Sequence, residues 1–352
     1  METLLEMAEY RKNGKCRALI AAGCMAQRYQ HEIPEEIEEV DAVIGTASYQ
    51  HIAEVVDKVL SGTGSDGKAS VFDDLSLMPR VDVERVTNIC SYSSYLKIAE
   101  GCDKHCTYCI IPQLRGPYRS YPVEYLISQA EQLAAKGTRE LNIVAQEITV
   151  YGRDIYGRKM LHNLLDKLCA VEGIEWIRLL YCYPEEIYDE LIDAFVKESK
   201  LLHYIDMPIQ HSEDNILRRM GRKTDRKSII EVIGKLRNAV PDIAIRTSLI
   251  AGFPGETEEN HQSLMEFLDE AELDRVGVFT YSREEGTPAA EFDNQIDEET
   301  AERWRDEIME LCQEISLDKN ETMIGKTVKV IIEGYSPEED VYIGRTYKDA
   351  PG

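Results

Sequence analysis

Six short apolar runs, Tyr95–Ala99, Glu140–Ala145, Trp176–Tyr181, Tyr204–Met207, Ala244–Ile250 and Val276–Tyr281, alternate with longer stretches whose apolar residues recur at helical spacing. The short runs read as strands, and recurrence every three or four residues reads as one face of a helix. The helical stretches include Val123–Ala135, Glu185–Val196, Arg226–Ala239, Thr257–Ala271 and Glu298–Leu317. Strand and helix in alternation mean parallel βαβ units. Six such units between about Asn88 and Asn320 predict an α/β fold built on an open, partial (β/α)6 barrel. In β/α barrels the chemistry sits at the C-terminal ends of the strands.

The flanks follow other patterns. Residues 1–60 read as helix, strand, helix, strand, helix, with Glu2–Lys12 helical, Arg17–Ala22 and Asp41–Gly45 as short strands, and Tyr49–Leu60 helical. The run Ser61-Gly62-Thr63-Gly64-Ser65-Asp66-Gly67 breaks every periodicity, so residues 61–87 read as a linker. The core then occupies 88–320. After it, Thr327–Glu333 alternates β-branched and polar residues, and Val341–Thr346 reads as a second strand. Two strands alone are marginal in water, so 321–352 reads as the beginning of a small β-domain cut short. There is no internal repeat at solenoid periods.

Just past the first predicted barrel strand stands Glu100-Gly101-Cys102-Asp103-Lys104-His105-Cys106-Thr107-Tyr108-Cys109, with thiols spaced Cys-x-x-x-Cys-x-x-Cys. Cubane iron–sulfur clusters normally take four Cys ligands. Three thiolates leave one iron open, and in radical chemistry that iron binds S-adenosylmethionine, whose sulfonium bond an electron then cleaves. The competing reading is a structural zinc site closed by His105 or a distant Cys. Zinc sites usually pair thiols as Cys-x-x-Cys and need a second pair, which this chain lacks.

Composition narrows the setting. The nine Cys among 352 residues are an odd count, and the start leads straight into the amphipathic Glu2–Lys12 stretch without an apolar leader, so a cytoplasmic enzyme with reduced thiols is expected. No apolar stretch approaches the roughly 20 residues that span a bilayer. The net charge of −25, concentrated around residues 32–41, 256–274 and 291–321, favours a basic partner over a polyanionic one.

The triad and its flanks, Leu96-Lys97-Ile98-Ala99-Glu100-Gly101-Cys102, Cys109-Ile110-Ile111-Pro112 and Arg115-Gly116, resemble the methylthiotransferase group of radical S-adenosylmethionine enzymes. Within that group, Val144–Gly152, Leu180–Pro184, Asp206–His211 and Tyr342–Thr346 resemble the branch that methylthiolates an aspartate of a small-subunit ribosomal protein. The tRNA-modifying branch usually shows Gly-Gln-Asn where this chain has Ala145-Gln146-Glu147. The resemblance covers nearly the whole chain and implies a partial amino-terminal methylthiotransferase domain, a complete radical domain and the start of a TRAM domain.

It also implies roles for single residues. Glu147, after the second strand, could take the amino group of S-adenosylmethionine, or be a helix cap or solvated acid. Gln210 and His211 close the fourth strand and could reach ribose or substrate, with a packed histidine as the bland reading of His211. Arg246 and Ser248 share one face of the fifth strand, and Arg246 could pair with the methionine carboxylate. The Gly252–Thr257 turn would let backbone approach adenine. Tyr108 resembles the family aromatic near adenine, against a plain packing role. Cys24, in Ala22-Gly23-Cys24-Met25-Ala26-Gln27-Arg28-Tyr29, matches one of three ligands of a second, amino-terminal 4Fe-4S cluster. Cys16, Cys90, Cys169, Cys182 and Cys312 read as small buried hydrophobes.

The other two ligands of that second cluster would lie upstream. Cys16 is no substitute, because eight extended residues put it roughly 26 Å from Cys24. The chain is therefore expected to be truncated at both ends, with one complete cluster site and one incomplete. As written it is expected to make 5′-deoxyadenosine slowly, to bind about four irons rather than eight, and to transfer no methylthio group. The expected partners are a basic small-subunit ribosomal protein and an external electron donor, with no membrane. The basic run Arg218-Arg219-Met220-Gly221-Arg222-Lys223 keeps tRNA as an alternative substrate, and a non-catalytic metal-bearing module is the alternative from another class.

Overall fold

The computed structural model describes residues 2–63, 69–78 and 92–351. They fall into two compact units, Met1–Arg85 with Glu100–Asp103 and Ile110–Arg119, and Val86–Ala99 with Lys104–Cys109 and Ser120–Gly352.

In the first unit, strands Ile20–Ala22 (β1) and Ala42–Ile44 (β2) pair in parallel. All three β2 residues are buried, as a strand covered on both faces requires. Val43 packs with Ala8, Leu19, Ala26 and Ile33, while Ala42 and Ile44 pack with Val55. Helix Glu2–Asn13 and helix Ile52–Ser61, the latter led by the Tyr49–His51 turn, stand where the periodicity puts them. β1 is shorter than Arg17–Ala22. The Leu19 N–H is taken by the Asp41 carboxylate at 2.7 Å, so the ladder starts only at Ile20. Part of the expected linker also packs here: Val71 exchanges backbone hydrogen bonds with Val43 and Gly45, and Phe72 joins the core.

The second unit holds a six-stranded parallel sheet of Ser93–Lys97 (β3), Glu140–Val144 (β6), Trp176–Leu179 (β7), Leu201–Asp206 (β8), Ala244–Ala251 (β9) and Arg275–Thr280 (β10); the two-residue strands Ala99–Glu100 (β4) and Arg119–Ser120 (β5) fall between β3 and β6. Each strand neighbours the next in sequence, and β3 and β10 end the sheet without joining, which is the expected open barrel. Helices Val123–Ala135, Arg226–Ala239 and Glu258–Ala271 match their patterns nearly to the residue. In Glu298–Glu321, buried Ala301, Trp304, Ile308 and Cys312 form one stripe at helical spacing. The helix expected from Glu185 starts at Asp189 instead, because Pro184–Glu186 makes a 3₁₀ turn and Ile187 is extended. β8 starts at Leu201, earlier than Tyr204, since half-exposed His203 interrupts the apolar run without interrupting the strand. Strands Val330–Ser336 (β11) and Val341–Thr346 (β12) form an antiparallel hairpin. Ile331 and Tyr347 pack beside Trp176, Leu202 and Tyr204 of the sheet. Among the described residues no helix is long and apolar enough to cross a membrane.

Candidate active site

The loop after β3 carries the three thiols. Cys102, in the first unit, donates its N–H to Gly116 O at 3.1 Å. Gly101 before it has φ +76°, and a Cβ there would run into the Gly116 and Pro117 carbonyls, so the turn admits glycine alone. Cys106 and Cys109 lie in the second unit, where the Cys109 N–H donates to Cys106 O at 3.0 Å. Between them Thr107 donates its N–H to Met220 O at 2.9 Å and its hydroxyl to Arg219 O at 2.7 Å, while its carbonyl accepts from Ala289. Cys102 and Cys106 are buried, Cys109 is half-buried, and the eight described cysteines form no disulfide. Among the described residues no three His, Cys, Asp or Glu side chains are gathered to hold a metal ion. The donor set is nonetheless three reduced thiols on one glycine-turned loop, which suits an iron–sulfur cluster.

Glu147 follows β6 and is buried, 1 % exposed. Its Oε1 accepts from the Thr149 N–H at 2.8 Å and from the Thr149 hydroxyl, and its Oε2 accepts nothing. Burial pushes its carboxyl up to about 7, against the pull of Thr149 and Lys104. The proton is therefore held more tightly in the fold than in the unfolded chain, and stability falls as pH rises from about 4.5 to about 7. Glu147→Gln imitates the neutral form and keeps an acceptor for Thr149. It should melt several degrees above the wild type at pH 8 and together with it at pH 5. Equal melting differences at both pH values in thermal scans would contradict this account.

Gln210 continues from β8 with φ +71°, held there because its N–H donates to Ser248 O and its carbonyl accepts from Ile250 N–H, each at 2.9 Å. Tyr181, after β7, has φ +62°. Two non-glycine residues in the left-handed region at the C-terminal ends of adjacent strands mark locally strained backbone. Arg246 and Ser248 do share a face of β9: Arg246 Nη1 donates to Ser248 Oγ and to Asp206 Oδ1, both at 2.9 Å. Burial raises the Asp206 carboxyl even beside this cation. His211 takes the bland reading. It is fully buried, accepts from the Glu213 N–H at Nδ1, and so donates from Nε2 to Glu256 at 3.2 Å. Glu256 Oε2 in turn accepts from the Gly252 and Phe253 N–H groups at 2.8 and 3.0 Å. The Gly252 and Phe253 N–H groups of the Gly252–Thr257 turn are thus already taken, and a Cβ on Gly252 would run into Ala301. Tyr108 meets Phe253 edge to face, with centroids 6.4 Å apart, in the cluster of Ile216, Met220 and Ala289.

Cys24 opens the short helix Cys24–Arg28 of the first unit. Arg115 Nε donates to its Sγ at 3.2 Å, and Arg115 Nη1 pairs with Glu100 at 3.2 Å. Cys169, Cys182 and Cys312 are buried as expected, and Cys90 lies outside the described residues. Cys16 departs from the buried role: it is half-buried and donates to Ala18 O at 3.2 Å. The sequence did not single out Asp206, Arg115 or Lys104, whose ammonium pairs with Glu186. Asp206 and Arg115 stood within the motif segments already quoted, which is the signal that could have found them.

The Radical SAM superfamily profile matches residues 96–268. The ribosomal protein uS12 methylthiotransferase RimO of Lachnoclostridium phytofermentans is 54 % identical over 351 residues, which span 100 % of this chain and 79 % of that protein. The RimO of Acetivibrio thermocellus is 49 % identical over 355 residues, with 100 % and 78 % covered. Among solved structures, the radical S-adenosylmethionine methyltransferase TsrM from Kitasatospora setae aligns at a TM-score of 0.60 and 15 % identity, covering 79 % of this chain and 57 % of that one. The cobalamin-dependent radical enzyme OxsB aligns at 0.55 and 12 %, covering 89 % and 45 %. At these identities the structures speak for the fold.

Proposed function

The chain belongs to the RimO family of radical S-adenosylmethionine methylthiotransferases, and we propose that it adds a methylthio group to the β-carbon of an aspartate in ribosomal protein uS12. The family implies a 4Fe-4S cluster and S-adenosylmethionine as cofactors, which sets aside the zinc and non-catalytic readings. The observation that carries the assignment to residues is the Cys102, Cys106, Cys109 run directly beyond β3 of a parallel sheet, where β/α barrels keep their chemistry.

In this reading the three thiolates hold the cluster. What that group supplies when bound is one-electron and radical chemistry, which an unactivated C–H bond calls for. Glu147 Oε2, buried and unfilled, accepts the amino group of S-adenosylmethionine. Arg246, held through Nη1 by Asp206 and Ser248, would pair with the methionine carboxylate. Gln210 presents its side chain from a backbone fixed in the left-handed region, and the Tyr108 ring borders adenine. Cys24 is a ligand of a second cluster. The domains proposed are 1–60, 88–320 and 321–352, with residues 69–72 of the intervening 61–87 packed on the first. The electron comes from an external donor, and the acidic chain meets its basic substrate in the cytoplasm.

Paired assays test the substrate. Purified small ribosomal subunits and unmodified tRNA are each incubated with reconstituted, reduced protein and analysed by mass spectrometry. Modification is expected on uS12 and not on tRNA, and modification of tRNA alone would overturn the assignment. Methylthiolated uS12 made by these 352 residues would at the same time overturn the expectation that Cys24, as the lone second-cluster ligand, leaves the chain without methylthio transfer.

A further inference from the structure

Arg222 stands beside the Cys106–Cys109 loop and has no part in the reading above. It is buried, 5 % exposed. Its Nη2 donates to Glu185 Oε2 and to Pro208 O, each at 3.2 Å, and its guanidinium lies 4.2 Å from the centroid of the Tyr183 ring. Nε and Nη1 donate to nothing among the described residues. Those atoms carry three of the five N–H groups of the side chain. A buried cationic donor left unfilled is destabilising and calls for an acceptor.

The place that acceptor would occupy is narrow. The turn bearing Arg222 packs on the backbone of the triad loop: Thr107 bonds Met220 O and Arg219 O, and a Cβ on Gly221 would stand 2.8 Å from His105 O and 3.6 Å from Cys106 Cα. Gly221 has φ +73°, so this approach is available to glycine alone. Tyr108, two residues after Cys106, packs on the cluster that holds Met220 of the same turn. The unfilled donors of Arg222 thus belong to a turn packed against the Cys106 backbone.

We infer that Arg222 is a positioning residue that donates hydrogen bonds to the Cys106 thiolate while that thiolate ligates the cluster, and thereby eases the cluster's reduction. A cubane on three thiolates is an anion that becomes more negative on accepting an electron. Donors and a fixed cation at a buried ligand sulfur stabilise the reduced form more than the oxidised one. The inference rests on the cluster assignment proposed above. A carboxylate of S-adenosylmethionine is the other anion that could fill the donors, and the test separates the two.

Wild type, Arg222→Gln and Arg222→Lys are reconstituted anaerobically. Iron per chain, the reduction equilibrium by electron paramagnetic resonance titration, and the dissociation constant for S-adenosylmethionine are then measured. Arg222→Gln should keep its iron while its one-electron reduction constant falls about tenfold, a shift of about 59 mV. Arg222→Lys should fall less in the same direction, keeping the charge but losing the fork. Should Arg222→Gln fail to fold with Glu185 stranded, the Arg222→Gln/Glu185→Gln double variant removes that charge, and Arg222→Lys still gives the sign. An unchanged reduction constant in both single variants overturns the inference, and weaker S-adenosylmethionine binding alone would assign Arg222 to the ligand. Lack of iron in the wild type would overturn the cluster assignment itself, before any variant is compared.

Discussion

Cys106→Ala should abolish cluster assembly. Anaerobic reconstitution of the wild type is expected to give the broad sulfur-to-iron absorption of a 4Fe-4S cluster and 5′-deoxyadenosine under reducing conditions. The variant should lose both, by more than the roughly 100-fold that marks the upper range of outer-shell changes around a metal. A cubane normally has four protein thiolates, and a site built on three has none to spare. Cys106 is also the thiol whose loop is tied to a second segment, through Thr107 to Arg219 and Met220. Cys312→Ala is the control. That thiol is buried in the stripe of the Glu298–Glu321 helix, where burial pushes its pKa to about 12, so its loss should leave a small cavity and normal iron. Zinc in the wild type with no iron, or full iron in Cys106→Ala, would remove the basis of the radical assignment.

The barrel was legible because each of its signals is local. Six apolar runs became six paired strands, and caps such as Asp225, Thr257 and Asp297 sit where the helical patterns begin. The triad was legible for the same reason, since its three thiols lie within one loop. What stayed hidden depends on partners far away in sequence. Arg222 read as part of a basic run that kept tRNA as an alternative, and its meaning comes from Glu185 and the triad loop. The left-handed backbone of Gln210 has no glycine to announce it and is imposed by the bonds to Ser248 and Ile250. Ala69 and Val71 looked like loop because Ser, Gly and Thr precede them, yet they pack on β2 and Val55. Cys16 read as a small buried hydrophobe, but it lies ahead of β1, half-buried, with its thiol donating to Ala18 O.

Glu140 shows how much of such a design sequence can conceal, since it read merely as the first residue of an apolar strand. It is fully buried and collects two arginines: Oε1 accepts from Arg178 Nε at 3.1 Å and Arg345 Nη1 at 2.8 Å, and Oε2 accepts from Arg345 Nη2 and, at 2.7 Å, the Ser93 hydroxyl. Arg178 also donates to Tyr347 O at 2.7 Å and lies over the Tyr204 ring. This cluster ties the β11–β12 hairpin to Glu140 at the start of β6 and to Arg178 within β7. Burial works against the Glu140 charge, but Arg345, Ser93 and Arg178 outweigh it and hold its pKa below the ordinary value. The stabilisation is therefore present above about pH 4.5 and lost as pH falls through the lower, folded value. Glu140→Ala leaves the buried Arg178 without a carboxylate and Arg345 with Glu333 alone, and should cost about 3–5 kcal/mol, read as a lower denaturation midpoint and as new protease cleavage around β11 and β12. Glu140→Gln keeps the shape without the charge and should fall between. The N-terminal face of a β/α barrel serves stability, so a folded fraction of either variant should still load the Cys106 cluster at the opposite ends of the strands. A hairpin as resistant to protease in Glu140→Ala as in the wild type would mean that packing of Ile331 and Tyr347 on Trp176 and Tyr204 holds it without the ion pairs.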